Sequence, residues 1–228
     1  ATAMLLSRAG LRVLAVDRQP YGSDTLSTHA LMRPAVMQLA RWGLLDALIG
    51  SGAPVIGSTT FHYGPKEVTV PIRSEPGLPG LIAPRRTVLD RVLVDAARAA
   101  GATVLHDTLV NDVLFDAHGR VRCVAIQDPA GRSRMVSAGV VIGADGFGSF
   151  VARKVAAATL AEGRFPMAHV FHYAPAPAMS GYHWYFGERF GGGVIPTNGG
   201  QACIVASMPT ERFDREFRSN LAGALRKF

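Results

Sequence analysis

The N-terminal order of helix, glycine, short apolar strand and acid constrains this chain most. Residues 2–9 (TAMLLSRA) read as a helix ended by Gly10. Residues 11–16 (LRVLAV) read as a buried parallel strand that delivers Asp17 at its end. In a dinucleotide-binding βαβ unit a glycine-rich turn opens the first helix, and an acid about 20 residues later binds the ribose hydroxyls. Asp17 stands where that acid would stand; the other reading is an ordinary acid exposed in a loop. Counting back puts the glycines upstream of Ala1, so the chain is expected to begin inside the helix. It would then keep the ribose clamp and miss the phosphate cradle that free helix N–H groups supply.

The rest of the chain alternates between helical and strand signals. Residues 34–49 give a helical pattern opened by Pro34 and broken at Gly43. Residues 58–72 read as two strands joined at Gly64-Pro65. Residues 87–100 form the clearest helix, with Val88, Leu89, Val92, Leu93, Ala96 and Ala97 on one face. A strand at 102–106 follows. Strands at 109–115, 121–127 and 134–138, joined at Gly119 and Gly131, make a β-meander. Residues 139–144 (GVVIGA) read as a further buried strand ended by Asp145-Gly146. The chain is strand-rich from Phe165 and closes with a helix over about 211–227.

Composition narrows the classes. The 228 residues are 48% hydrophobic and 18% charged, with a formal charge of +7. Apart from Lys66, Lys154 and Lys227 every basic residue is arginine, and the arginines are scattered. That pattern gives no run or aromatic platform for nucleic acid. Charges interrupt each apolar run before bilayer length, so no membrane partner is expected. No signal peptide is visible, which points to a cytoplasmic protein. Cys123 and Cys203 have no metal spacing and read as buried free thiols. His169 and His172 fall on a strand, where an i, i+3 pair points to opposite faces, so no metal is expected.

The N-terminal unit, LSTHALMRPAVMQLARWGLLDAL, PRRTVLDRVLVDAARAAGA, the meander and VVIGADGFGSFVAR occur in one order. Together they resemble the FAD-dependent aromatic hydroxylases, the flavoprotein monooxygenases similar to p-hydroxybenzoate hydroxylase. The resemblance implies an α/β fold: an incomplete Rossmann-type FAD-binding domain with a β-meander over 1–53 and 84–155. A second, mostly antiparallel sheet layer over 54–83 and 156–228 would hold substrate. It implies FAD as cofactor, NADPH or NADH as reductant, and O2 and an aromatic small molecule as substrates. A homodimer is an assembly it allows.

The resemblance also assigns residues. Asp17 and Arg18 would hold the adenosine ribose end, and Val110 would meet the adenine through its main chain. Arg33 and Arg86 would approach the phosphates and ribityl chain; Arg85 is the less favoured neighbour. Asp145 of the Gly143-Ala144-Asp145-Gly146 element would orient the pyrophosphate region, with Ser149 and Arg153 nearby. Ser27, Thr28 and His29 fall where the isoalloxazine approaches in relatives; His29 taken alone reads as a surface-loop histidine before a site residue. His172, His183, Tyr185 and Phe186 read either as substrate-facing or as core.

No nucleophile–base pair is found, because GFGSF departs from G-x-S-x-G spacing, and no catalytic base is named. The flavin would carry the chemistry, reacting with oxygen when reduced and passing an oxygen atom to an electron-rich ring. Rival readings are a halogenase or prenyl reductase on the same fold, and a non-catalytic fragment that cannot hold FAD. The family's later Gly-Asp flavin segment does not occur before Phe228, so the polypeptide alone is expected to bind FAD weakly or not at all.

Overall fold

The computed structural model describes residues 1–163 and 166–220. In chain order the first elements are α1 (Thr2–Arg8), β1 (Leu14–Val16), α2 (Arg33–Arg41) and α3 (Leu45–Gly50). The short strand β2 (Val55–Ile56), the hairpin β3 (Ser58–Tyr63) and β4 (Lys66–Pro71), and β5 (Leu81–Ile82) precede α4 (Arg86–Ala99). Then come β6 (Thr103–Leu105), the meander β7 (Leu109–Phe115), β8 (Val121–Gln127) and β9 (Ser133–Ser137), and α5 (Phe150–Lys154). Last are β10 (Met167–Pro175), β11 (Tyr182–Gly187), β12 (Phe190–Thr197), β13 (Gln201–Pro209) and α6 (Thr210–Glu216).

These elements fall into two compact units. Unit 1 comprises Ala1–Ser23 and Leu93–Glu162; unit 2 comprises Asp24–Val92 and Gly163–Phe228.

In unit 1, β1 and β6 pair in parallel, Leu14 opposite Thr103 and Val16 opposite Leu105. The Asp17 N–H continues this ladder to the Leu105 carbonyl at 2.8 Å. The meander is antiparallel in the order β7-β8-β9. Its buried Val113, Val124 and Ile126 pack with Val16, Leu105, Val141 and Phe150 in one apolar core. The meander therefore covers the ends of the parallel strands, and hydrophobic burial holds it there.

Two strand expectations are corrected in this unit. The strand expected over 11–16 is shorter, because residues 10 and 11 close α1. Gly10 at φ 82 donates to Ser7, and Leu11 donates to Leu6, the 6→1 bond of a Schellman end. The strand expected over 139–144 does not form. Val141 packs into the core, but the segment enters no ladder among the described residues. Nor is the run buried as expected: Val140 and Ile142 are exposed, since apolar residues alone do not make a strand without a neighbouring backbone to pair with.

In unit 2, six strands form one sheet in the order β10-β13-β12-β11-β3-β4. All neighbours are antiparallel except β11 and β3, where Tyr182 lies opposite Thr59. The hairpin at 58–71 and the strands after 165 thus form a single layer, as expected. Tyr182, Ile195, Cys203 and Val205 point to one face, packing with Ile56, Leu81 and Ala83. On the other face Val170, Ala206 and Met208 pack with Phe213 and Phe217. The period of two along each strand sorts these side chains. The closing helix ends at Glu216, short of Lys227; residues 221–227 of that expectation lie outside the described residues.

Candidate functional site

Asp17, in unit 1, keeps acceptor capacity to spare. It is exposed at the carboxyl end of β1, and one oxygen accepts from the Gln19 N–H at 2.9 Å. Its carbonyl accepts from the Thr108 N–H at 3.0 Å, which ties the loop after β1 to the loop after β6. A ligand at the carboxyl edge of this parallel pair would meet the second carboxylate oxygen. Arg18 follows it, exposed. Val110 sits where β7 slips register against β8, between Val110 and Asp112. Its side chain packs into the unit 1 core, so only its main chain is left for a ligand.

Asp145 spends its carboxylate locally. One oxygen accepts from the Ser149 hydroxyl at 2.5 Å and the other from the Val151 N–H at 3.1 Å. The Ser149 hydroxyl, then the Val151 N–H, hold this carboxyl below the usual range. Ser149 in turn caps α5 by accepting from the Ala152 N–H at 3.0 Å. The loop turns on Gly146 and Gly148, at φ 75 and 72. Gly143 is required by contact, since a Cβ there would lie 2.8 Å from Val151 Cβ. Asp145 is therefore not at a strand end of a sheet shared with β1, as the sequence suggested. The two acids share unit 1, and Val16 and Val141 share its core.

Three arginines of unit 2, Arg33, Arg85 and Arg86, are each paired. Arg33 opens α2 and donates to the Arg73 carbonyl at 2.7 Å and to Glu75 at 2.8 Å. Arg86 forms a fork on Asp90 within α4, both bonds 2.8 Å, and Asp90 raises its pKa further. Arg85 has the widest set of partners. It donates to Gln201 at 2.9 Å and to Asp24, and its backbone N–H donates to the Asn198 side chain at 3.0 Å. Its guanidinium carbon lies 3.8 Å from the centroid of the Tyr173 ring.

Around Arg85 a polar cluster is buried. His29 is 2% exposed, adopts φ 60, and its Nε2 hydrogen-bonds the Tyr173 hydroxyl. Desolvation lowers its pKa from 6.5 to about 4, so the ring is neutral. Burial raises the Tyr173 hydroxyl to about 12, with the Cys203 thiol beside it. His29 Nδ1 and Arg85 Nε are buried without a partner. Strained backbone and unsatisfied buried polar atoms concentrate at functional sites.

The sequence pointed to Arg86 over Arg85, and singled out neither Tyr173 nor Asp24. The local signal for Arg86 was real, but it led to Asp90 one turn on. The partners of Arg85 come from distant strands and left no pattern. A second polar chain runs across β3, β4 and β11. Glu67 faces His62 at 3.3 Å, His62 Nε2 meets His183 Nδ1 at 2.9 Å, and His183 Nε2 donates to the Ser180 carbonyl. Tyr185 stacks on His62 with centroids 4.3 Å apart.

Among the described residues no helix is long and apolar enough to cross a membrane. A sequence search of curated proteins returns no match. Solved structures resemble nearly the whole chain. PqsL of Pseudomonas aeruginosa in complex with 2-aminobenzoylacetate is 21% identical with a TM-score of 0.79, covering 99% of this chain and 62% of its own. The myxobacterial chondrochloren halogenase CndH is 22% identical with a TM-score of 0.82, covering 99% and 53%. A geranylgeranyl bacteriochlorophyll reductase-like protein of Thermoplasma acidophilum is 19% identical with a TM-score of 0.82, covering 99% and 57%. At these identities they show the fold, and the chain spans between about half and two thirds of each. The family model described as the FAD binding domain matches residues 1–226, and the chain belongs to that family.

Proposed function

We propose that the whole protein is an FAD-dependent monooxygenase that hydroxylates an aromatic small molecule, with NADPH or NADH as reductant and O2 as co-substrate. The observation that carries the cofactor assignment is Asp17. It stands at the carboxyl end of a parallel strand with one carboxylate oxygen engaged by Gln19 and the other left for a ribose hydroxyl. Other residues suit the same group, each within its own unit. In unit 1 Arg18 is exposed beside Asp17 and Val110 offers its main chain at a bulge; in unit 2 Arg33 holds a partly exposed guanidinium on the Arg73 carbonyl and Glu75. Asp145 would act through the loop it builds, because its own oxygens are used by Ser149 and Val151. Arg86 would reach a phosphate only by sharing its fork with Asp90.

FAD, when bound and reduced, would supply the oxygen activation. The chain's own part is to bind and orient it and to keep water from the reacting ring. PqsL, of similar fold, binds 2-aminobenzoylacetate, an aromatic compound, which supports an aromatic substrate class. Halogenation is the rival reaction, and Lys154 is drawn into an ion pair with Asp112 at 2.7 Å.

The deciding experiment takes the purified whole protein, records its flavin absorbance, and follows NAD(P)H oxidation and oxygen uptake with candidate phenols and anilines. A hydroxylated product with bound flavin supports the reading. A protein that cannot be reconstituted with FAD, or that yields only halogenated product in the presence of halide, overturns it.

A further inference from the structure

We infer that the Glu75 carboxylate sets cofactor affinity by competing with the cofactor's pyrophosphate for Arg33. The inference rests on the proposed role of Arg33 as a phosphate ligand. Carboxylate and phosphate oxygens match the guanidinium fork in the same way, so either anion can fill it. In the structure the place is taken: one terminal nitrogen donates to the Arg73 carbonyl at 2.7 Å and the other to Glu75 at 2.8 Å.

Glu75 is presented rather than free to wander. Its N–H donates to the Leu78 carbonyl and its carbonyl accepts from the Leu78 N–H, at 3.0 and 2.8 Å. The turn between them is Pro76-Gly77, with Gly77 at φ 75, a conformation suited to glycine. Arg33 is equally fixed, as the first residue of α2, followed by Pro34. The first turn of α2 carries no acid, and the helix has no side-chain cap. Glu75 therefore neutralises Arg33 from outside the helix. An arriving pyrophosphate meets a neutral pair, and must displace Glu75 to meet a cation.

The pairs made by Arg85 and Arg86 are built differently. Arg86 and Asp90 share one helix, and Arg85 is held by Gln201 and the Tyr173 ring as well as Asp24. Arg33 and Glu75 sit on separate segments with side chains 33% and 44% exposed, so exchange of one anion for another needs no core rearrangement. Solvent also limits the strength of the pair, so the effect is modest and sensitive to salt.

The test titrates FAD into the whole protein stripped of flavin, following flavin fluorescence at low and high ionic strength. The variants are Glu75→Gln, Arg33→Gln and, as a charge-matched control at an exposed position of α3, Asp46→Asn. Glu75→Gln is expected to tighten FAD by about two- to fivefold at low salt, the ratio an exposed ion pair corresponds to. The gain should shrink at high salt, and Asp46→Asn should show none. The inhibition constant of pyrophosphate against FAD should fall in Glu75→Gln by a similar factor.

If Arg33→Gln weakens FAD while Glu75→Gln fails to tighten it, the competition is overturned and the role of Arg33 stands. If neither variant moves the affinity, Arg33 meets no phosphate and both fall. Equal tightening by Asp46→Asn would mean general charge and would also overturn the inference.

Discussion

The Nε2 atom of His29 and the hydroxyl of Tyr173 share a hydrogen bond across 144 residues of sequence, and the guanidinium of Arg85 lies over the same tyrosine ring. This contact ties the Ser27–His29 loop to strand β10 within unit 2. It also makes the unit's stability depend on pH in a definite direction. The folded-state pKa of His29 lies near 4 against 6.5 for the exposed ring, because burial disfavours the charged form. Between those values the unfolded chain binds a proton that the folded chain refuses, so stability falls as pH drops from 6.5 towards 4. At about 1.4 kcal/mol per unit the loss has a ceiling of roughly 3 kcal/mol. His29→Asn removes the titration and still tolerates φ 60. Urea unfolding at pH 7, 5.5 and 4.5 should give a shallower slope for the variant. Parallel slopes would mean that His29 is not buried neutral.

Arg85→Lys should destabilise unit 2 by about 1–3 kcal/mol despite keeping the charge, because a single ammonium cannot do what the flat fork does. The guanidinium bonds Asp24 and Gln201 while lying 3.8 Å over Tyr173. Arg86→Lys is the comparison: among the described residues its side chain bonds Asp90 alone, one turn away, and a loss under about 1 kcal/mol is expected. The order of the two midpoints in urea decides the matter, and equal losses would remove the distinction between the neighbours.

Asp17→Asn should keep the fold and lose the ligand. The amide oxygen can still accept from the Gln19 N–H, so the turn after β1 survives. A ribose hydroxyl loses a charged acceptor, a difference of about 1.5–3 kcal/mol, or roughly ten- to a hundredfold in FAD affinity. Flavin binding by the whole protein measures it, with circular dichroism as the control. Unchanged affinity would remove Asp17 from the site.

Much of the architecture was legible because local chemistry wrote it. Gly64, Gly119 and Gly131 mark the hairpin turns at positive φ, and the i, i+3, i+4 apolar face set out α4. What was not legible depends on distant partners. Residues 139–144 carry the side chains of a buried strand, yet pairing is a property of two backbones, and one sequence segment specifies only its own. The same limit hid the site. Arg85 and Arg86 are identical in type and adjacent, and only folding brings Asp24, Tyr173 and Gln201 to the first of them. Asp145 was found from its Asp-Gly pattern, but the pattern could not say that its oxygens serve Ser149 and Val151.

The parallel contact between β3 and β11 is the least local feature of the sheet, and one glycine tests it. Gly181 precedes β11 at φ 87, and a Cβ built there would lie 2.5 Å from both the carbonyl and hydroxyl oxygens of Ser58, the first residue of β3. Alanine at this position faces two penalties. Positive φ costs an L-residue about 1 kcal/mol, and forcing Ser58 away adds the 1–3 kcal/mol typical of overpacking. The strain falls beside Tyr182, which is fully buried in the sheet's apolar cluster, so it cannot relax into solvent. Gly181→Ala should therefore lose about 2–4 kcal/mol in urea unfolding. Gly139→Ala is the matched control, since that glycine has no positive φ and nothing within 4 Å of its would-be Cβ. It should stay within about 0.5 kcal/mol of the parent, or gain slightly from a less flexible unfolded chain. Two alanine variants of equal stability would show that β11 does not run against Ser58, and the strand order of the sheet would have to be redrawn.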